Sequence, residues 1–324
     1  MKTSLIRHDW TQQEVEELYR RPLLALIMEA AALHRQFHKP GQMQMCTLLS
    51  IKTGGCPEDC AYCAQSVHYQ TNIQVHRLLD VEAVVEAARQ AKAQGASRFC
   101  MGAAWREVRS NRDFERILRM VREVRALGLE VCATLGMLTV EQAQALKEAG
   151  LTAYNHNLDT SEAYYNRIIT TRTYQDRLRT LDSARQAGLT LCSGGILGMG
   201  ESEADRIAFL HTLATMEPHP ESVPINALVP IAGTPLGDRE PPSVWEMVRA
   251  IAVARILMPQ SMIRLAAGRE RLSPVEQALC FIAGANSIFL GEKLLTAPNA
   301  PPSEDLALFE ILGIEPMPAF SQFS

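Results

Sequence analysis

Short apolar segments alternate with longer amphipathic segments eight times along this chain of 324 residues. The apolar runs predict strands near residues 44–51, 97–103, 129–135, 152–158, 189–196, 222–229, 262–267 and 286–290. The segments between them have helical spacing, and one of them places Ile117, Val121 and Val124 on a single face. Strands that alternate with helices form parallel sheets, and eight such units predict a (β/α)8 TIM-type barrel of the α/β class. An open, doubly wound sheet is the alternative.

The barrel is predicted to be the middle of three parts. We divide the chain into an N-terminal helical extension (residues 1–40), the barrel (41–297) and a C-terminal tail (298–324). Residues 11–37 are expected to form an extra N-terminal helical layer, and the proline-rich tail is expected to wrap around the barrel or to fray. No linker or low-complexity segment separates the parts.

The bulk composition is that of a globular protein, with 47% apolar and 21% charged residues. The net charge of −4 comes without a basic block, so nothing indicates binding to nucleic acid or to an anionic membrane surface. The first ten residues lack an apolar stretch that would suit a signal peptide, and we expect a cytoplasmic protein. In a reducing compartment, the eight cysteines are expected to be metal ligands or buried thiols and not disulfides.

Three of these cysteines, Cys56, Cys60 and Cys63, are spaced as CxxxCxxC with Tyr62 before the last one. Three thiolates can hold three corners of a four-iron cluster and leave one iron open for another ligand. A structural zinc site is the alternative, but such sites are closed by four ligands, and no fourth Cys or His follows at the usual spacing. The pattern resembles that of the radical S-adenosylmethionine (SAM) enzymes.

A second set of cysteines falls on predicted strands. Cys100, Cys132 and Cys192 lie on the second, third and fifth strands, and the same inward phase includes Asn226 and Arg264 on the sixth and seventh. These side chains are therefore expected to meet inside the barrel. Each cysteine could instead be a small buried hydrophobic residue, which is the common role of a free thiol.

The remaining two cysteines, Cys46 and Cys280, fall on the first strand and on a late helix. Both lie outside this phase, and we expect both to be buried free thiols.

Longer strings extend the likeness to most of the barrel, from about residue 40 to residue 297. They are TLLSIKTGGCPEDCAYCAQS, RFCMGAAWR, YNHNLDTS, IITTRTYQDRL, CSGGILGMGE, ESVPINALVP and IRLAAGRE. In these strings the chain resembles the biotin synthase family. That resemblance implies a radical SAM sulfurtransferase that inserts sulfur into dethiobiotin to form biotin, which is the last step of biotin biosynthesis.

The resemblance also implies the cofactors and the residues that hold them. It assigns a 4Fe-4S cluster, which binds SAM, to Cys56, Cys60 and Cys63. It assigns a 2Fe-2S cluster, the source of the inserted sulfur, to Cys100, Cys132, Cys192 and Arg264. Arginine is an unusual ligand, because its guanidinium cation has no lone pair to donate. Electrostatics alone would make Arg264 a hydrogen-bond donor to the cluster or part of an interior salt bridge.

Contacts to the small molecules follow in the same way. The resemblance assigns SAM to Tyr62, Asn157, Asp159, Arg177 and Ile196, and it assigns the ureido ring of dethiobiotin to Asn155 and Asn226. Asparagine amides carry both a donor and an acceptor, which suits a cyclic urea. His156 points away from its asparagine neighbours along the strand and is expected to be a packed core histidine.

The resemblance further implies a homodimer and an electron donor of the flavodoxin or ferredoxin type. Two other readings stay open. One is a different radical SAM enzyme on the same barrel. The other is an iron-sulfur electron carrier or a zinc-stabilised binding module, although a carrier would close its cluster with a fourth cysteine.

Overall fold

The computed structural model describes residues 6–320. The helices are α1 (Gln12–Tyr19), α2 (Leu23–Phe37), α3 (Val81–Ala93), α4 (Arg112–Ala126), α5 (Val140–Glu148), α6 (Glu162–Tyr165), α7 (Tyr174–Gln186), α8 (Glu203–Ala214), α9 (Val244–Leu257), α10 (Pro274–Ile282) and α11 (Pro302–Leu312). The strands are β1 (Gln42–Lys52), β2 (Arg98–Ala103), β3 (Glu130–Thr134), β4 (Ala153–Asn155), β5 (Thr190–Cys192), β6 (Gly195–Leu197), β7 (Ser222–Ala227), β8 (Met262–Leu265), β9 (Ser287–Leu290) and β10 (Glu315–Pro316).

The sheet closes on itself. Parallel pairing runs from β1 through β2, β3, β4, β5, β7 and β8 to β9, and β9 pairs again with β1. Each of these barrel strands is followed by at least one helix before the next one begins. The prediction of a TIM-type α/β barrel is therefore confirmed, and the open-sheet alternative is wrong.

The predicted fifth strand is present as two short pieces, β5 and β6. Both pair with β7 in one continuous register, since Cys192 lies opposite Ser222 and Gly195 lies opposite Ile225. Between the pieces, a Cβ atom on Gly194 would lie 1.9 Å from the carbonyl oxygen of Pro224. Only glycine permits this close approach, and the strand is interrupted at that point.

The helices form where the apolar periodicity predicts them. In α4, Ile117, Val121 and Val124 are fully buried against the barrel. Reciprocal capping boxes define several helix starts, including those at Thr173 for α7 and Ser243 for α9. The local sequence and the tertiary packing therefore favour the same elements.

The two ends of the chain lie against the barrel. Helix α1 packs on α8, and α2 packs on α9, as the expected extra layer. After α11, β10 pairs with the start of β1, and the amide of Phe320 donates a 2.7 Å hydrogen bond to Glu130. No helix within residues 6–320 is long and apolar enough to cross a membrane.

Candidate functional site

All candidate residues from the sequence line one cavity of about 320 Å³. The cysteines around it are Cys56, Cys60, Cys63, Cys100, Cys132 and Cys192, and the other candidates are Tyr62, Asn155, Asn157, Asp159, Arg177, Ile196, Asn226 and Arg264. Most of the polar candidates follow or end barrel strands, which is where this architecture places its active sites. Two groups of thiols therefore face one cavity.

The first group, the outer thiols (Cys56, Cys60 and Cys63), lies on the loop that follows β1. The loop turns tightly, because the amide of Cys63 donates to the carbonyl of Cys60 at 2.9 Å. Burial raises the pKa of all three thiols, that of Cys63 to about 12. These residues become thiolates when a metal replaces their protons, so the site suits a metal cluster better than a free nucleophile.

Two acidic side chains of the same loop hold it against neighbouring segments. Glu58 is buried and accepts a 2.9 Å hydrogen bond from Arg106, and Asp59 accepts the amides of Thr170 and Thr171 at 2.9 and 3.2 Å. Partial burial raises the pKa of Asp59, but the hydrogen bonds from Thr170 and Thr171 outweigh it and lower the value to about 2. Sequence reasoning missed this support, although the two acids stand between the first two cysteines of the motif.

A buried trio joins the loop to the fourth barrel strand and to α7. The hydroxyl of Tyr62 donates to Asp159 Oδ2 at 2.7 Å, and Arg177 Nη2 lies 2.5 Å from the same oxygen. Arg177 also donates to the hydroxyl of Tyr165 at 2.7 Å. Asp159 has a positive φ of 69°, which is rare for a residue with a side chain. The three predicted SAM contacts are thus already connected to one another.

The two predicted substrate asparagines are each anchored by protein partners. Asn155 donates to the carbonyl and to the sulfur of Cys192, at 3.0 and 3.3 Å, and accepts from Thr134 at 2.8 Å. Asn226 donates to the carbonyl of Gly195 at 2.9 Å and accepts from the amide of Ala267 at 3.1 Å. A carboxamide has two N–H groups and two lone pairs, so Asn226 retains one of each for another molecule.

The run from Gly194 to Glu201, which contains the predicted SAM contact Ile196, borders the cavity through that residue. The amide of Ile196 donates to the carbonyl of Asp159 at 2.8 Å. Glu201 instead accepts the amide of Gly198 at 2.9 Å and pairs with Arg206 at 2.8 Å. The end of this run therefore stabilises the turn before α8.

The second group of thiols lies deep in the barrel. Cys100 and Cys132 stand opposite each other on β2 and β3. Arg264 is buried, and its Nη1 lies 3.6 Å from the sulfur of Cys192. The hydrogen bond from Cys132 lowers the pKa of Cys192 to about 6, with the Arg264 cation acting in the same direction. The expected meeting of three thiols and one arginine therefore occurs.

Cys46 is a buried free thiol, as expected, but the expectation that it lies outside the phase of the inner thiols is wrong. Cys46 is fully buried in one cluster with the other interior thiols, and its sulfur accepts a 3.2 Å hydrogen bond from Arg264 Nη2. Barrel strands are tilted and staggered, so residues of β1 that seem out of level in the sequence reach the same interior region. Cys280 is buried in α10, outside this cluster, and neither Cys46 nor Cys280 lines the cavity.

Three further features of the cavity were not found from the sequence. Arg172 borders the cavity with Nη2 3.9 Å from the sulfur of Cys60. His156 is buried as expected, but it also lines the cavity, and its Nε2 has no hydrogen-bond partner among residues 6–320. The segment 294–297, after β9, covers one side of the opening. Only the alternation of side chains along a strand could have placed His156, and that argument pointed it away.

The donor set of the cavity fits iron-sulfur clusters. It offers thiols in two separate groups, and thiolates are the usual ligands of such clusters. Within the described part of the chain, no three His, Cys, Asp or Glu side chains are spaced to hold a single metal ion. The outer group has three thiols and a neighbouring arginine, Arg172, and the inner group has thiols and Arg264.

Comparison with known proteins gives two matching family models. Residues 50–213 match the radical SAM superfamily, and residues 224–315 match the biotin and thiamin synthesis associated domain. Among solved structures, methylornithine synthase superposes with a TM-score of 0.80 at 19% identity, over 95% of this chain and 94% of that one. The hydrogenase maturase HydG from Carboxydothermus hydrogenoformans gives a TM-score of 0.83 at 14% identity, over 97% and 77%. At such identities the likeness shows the shared fold.

Curated relatives are much more similar in sequence. Biotin synthase from Cytophaga hutchinsonii is 59% identical over 315 residues, which is 97% of this chain and 94% of that protein. Biotin synthase from a Nostoc species is 59% identical over 98% of this chain and 96% of its own length. The mitochondrial biotin synthase of Arabidopsis thaliana is 56% identical, over 98% and 84%. With near-complete coverage at this identity, and with both family models matched, the chain belongs to the biotin synthase family of radical SAM enzymes.

Proposed function

We propose that this chain inserts sulfur into dethiobiotin to form biotin, using SAM, a 4Fe-4S cluster and a 2Fe-2S cluster. The observation that carries the proposal is that two separate groups of thiols face one cavity. An electron carrier has no need of such a cavity between its clusters. A reaction that first generates a radical and then transfers sulfur needs both groups near the same substrate.

At the mouth of the cavity, Cys56, Cys60 and Cys63 would hold a 4Fe-4S cluster. Such a cluster would supply the electron for the cleavage of SAM. Asp159 uses Oδ2 for both Tyr62 and Arg177, so Oδ1 can accept a ribose hydroxyl. Asn157 and Ile196 complete the nucleoside contacts, and Arg177 carries the charge that suits a carboxylate.

Deeper in the cavity, Asn155 and Asn226 orient the ureido ring of dethiobiotin. The side-chain amide of Asn155 donates a hydrogen bond to the sulfur of Cys192. A substrate held by Asn155 would therefore have a fixed position relative to the inner thiols. Cys100, Cys132 and Cys192, with Arg264, would hold a 2Fe-2S cluster, which would supply the sulfur. To act as a ligand, Arg264 would have to lose a proton, because the guanidinium cation has no lone pair to donate.

The residues that line the cavity would limit the access of water to the reaction. The polar groups around it are held by protein hydrogen bonds, as the Tyr62, Asp159 and Arg177 contacts illustrate. Fixed groups of this kind need little reorganisation during a reaction. A reactive radical is also protected from side reactions when solvent is excluded.

The remaining features belong to the same proposal. Residues 41–297 form the catalytic barrel, residues 1–40 are a helical extension, and residues 298–324 are a C-terminal tail. We further propose a cytoplasmic homodimer that is reduced by a flavodoxin or ferredoxin type of protein. Neither nucleic acid nor a membrane takes part.

The proposal is tested by following the sulfur. The 2Fe-2S cluster is rebuilt with isotopically labelled sulfide, and SAM, reductant and dethiobiotin are added under anaerobic conditions. Mass spectrometry of the product should show labelled biotin. Because each turnover consumes the cluster, the reaction should stall near one product per chain while the 2Fe-2S absorption bleaches in step.

A different result would redirect the proposal. Unlabelled biotin formed over many turnovers, with the inner absorption intact, would make the inner cluster an electron relay. SAM cleavage without any effect of dethiobiotin would favour another radical SAM reaction in the same cavity.

A further inference from the structure

The interior of the barrel holds four thiols and not three. Cys46, Cys100, Cys132 and Cys192 pack in one buried cluster. All four are buried. Cys46 therefore lies with the three thiols that the resemblance assigns to the inner cluster.

Arg264 contacts two of these thiols. Its Nη1 lies 3.6 Å from the sulfur of Cys192, and its Nη2 lies 3.2 Å from the sulfur of Cys46. Its Nε donates to Ser287 at 2.9 Å, which fixes the guanidinium plane. The guanidinium thus bridges Cys46 and Cys192, and Cys46 is at least as near to Arg264 as the assigned ligand Cys192.

A second observation at the same place indicates unused binding capacity. Gln44 precedes Cys46 by two residues on β1, so both side chains point to the same side of the strand. Gln44 Oε1 accepts from Arg264 at 3.2 Å and from Ser287 at 3.0 Å, but its buried Nε2 has no hydrogen-bond partner within residues 6–320. A buried donor without a partner is costly, and a cluster sulfide would satisfy it.

We propose that Cys46 is an alternative fourth ligand of the inner 2Fe-2S cluster and exchanges with Arg264. This inference rests on the proposed function, because it presumes that Cys100, Cys132 and Cys192 bind that cluster. In the exchange, the iron–nitrogen bond to the neutral guanidine breaks and an iron–sulfur bond to Cys46 forms. The proton of the Cys46 thiol moves to the guanidine, which becomes guanidinium again, so no other reactant is needed.

The exchange gives each ligand a distinct role. A thiolate is the usual and stronger partner of iron in these clusters, whereas a guanidine is a poor one. Ligation by Cys46 would store the cluster, and ligation by Arg264 would leave an iron that is easier to release when a sulfide departs.

The test removes Arg264 and asks whether Cys46 takes over. Arg264→Met, Arg264→Met with Cys46→Ser, and Arg264→Met with Cys280→Ser are loaded anaerobically with sulfide and isotopically enriched iron. Cys280 is the matched control, because it is also buried and lies on α10. Mössbauer spectroscopy distinguishes two-iron from four-iron clusters, and iron and sulfide counts follow loading.

Arg264→Met should keep the 2Fe-2S cluster with both irons in thiolate coordination, and the Cys280 control should match it. Adding Cys46→Ser should cause loss of most of the two-iron signal while the four-iron signal stays. Loss of the two-iron signal in Arg264→Met alone, or its survival without change in the Cys46 double variant, would overturn the inference.

The protein with Arg264 intact separates this inference from the function on which it rests. If that protein takes up no two-iron cluster, the proposed function fails and the inference fails with it. If Arg264→Met does not fold, Arg264→Lys gives the same comparison, because lysine retains the buried cation but cannot span both sulfur atoms.

Discussion

The outer and inner thiols are chemically alike but are held in different ways. The outer thiols lie on a loop whose shape depends on side-chain contacts, such as that of Glu58 with Arg106. The inner thiols lie on strands, where the pairing of Cys100 with Cys132 follows from the register of the barrel. The outer site can therefore be disturbed locally. The inner site can be lost only by changing its own ligands or by opening the sheet.

This difference suits the two tasks. A cluster that is used repeatedly can lie on a loop at the mouth, where SAM enters. A sulfur source that is consumed and rebuilt needs ligands that keep their positions while it is absent, and barrel strands provide them.

The largest expected effect comes from removing one thiol from the outer group and one from the inner group, in separate variants. Cys60→Ala should abolish SAM cleavage and leave a 2Fe-2S absorption, because the inner ligands are untouched. Cys132→Ala should remove the inner absorption and biotin formation while SAM cleavage remains. Cys280→Ala is the control for loss of a buried thiol. If each ligand variant lost both spectra while remaining folded by circular dichroism, the two sites would not be independent.

A smaller effect is expected at Asn155 and Asn226, the two proposed dethiobiotin contacts. Asn226→Ala should weaken dethiobiotin binding about tenfold, or roughly 1.4 kcal/mol, because one neutral hydrogen-bonding group is lost. SAM binding should change little, which calorimetry with each ligand can measure. Asn155→Ala should weaken dethiobiotin in the same way and also alter the inner spectrum, since Asn155 contacts Cys192. If these variants bound SAM more weakly and dethiobiotin unchanged, the proposed positions of SAM and dethiobiotin in the cavity would have to be exchanged.

The smallest effect concerns the loop support. Glu58→Gln keeps the shape but removes the charge opposite Arg106, and we expect a loss of about 1–2 kcal/mol in the free energy of unfolding. Four-iron loading should fall, and two-iron loading should not. Asp305→Asn, which breaks a buried pair with Arg269 outside the cavity, is the control. If four-iron and two-iron loading fell equally, the contacts of the loop would support both cluster sites and not the outer one alone.

The sequence predicted the barrel because its strands and helices follow clear apolar periods, and it placed Cys100 and Cys132 together by strand phase. It failed for Cys46, because phase within one strand carries no information about the stagger between strands. It also failed for Glu58 and Arg106, which are separated along the chain and meet only after folding. The division of the fifth strand depended on a single close approach at Gly194, which no period reveals.

The pairing of β10 with β1 and the contact of Phe320 with Glu130 lie at the end of the barrel where β1 and β3 begin. Arg98 and Glu130 form a buried ion pair next to Cys100 and Cys132 at the same end. The outer thiols lie on the loop that leaves the other end of β1. A ligand that enters past this loop and reaches Cys132 would therefore have to bind before a ligand that occupies the space near Cys60.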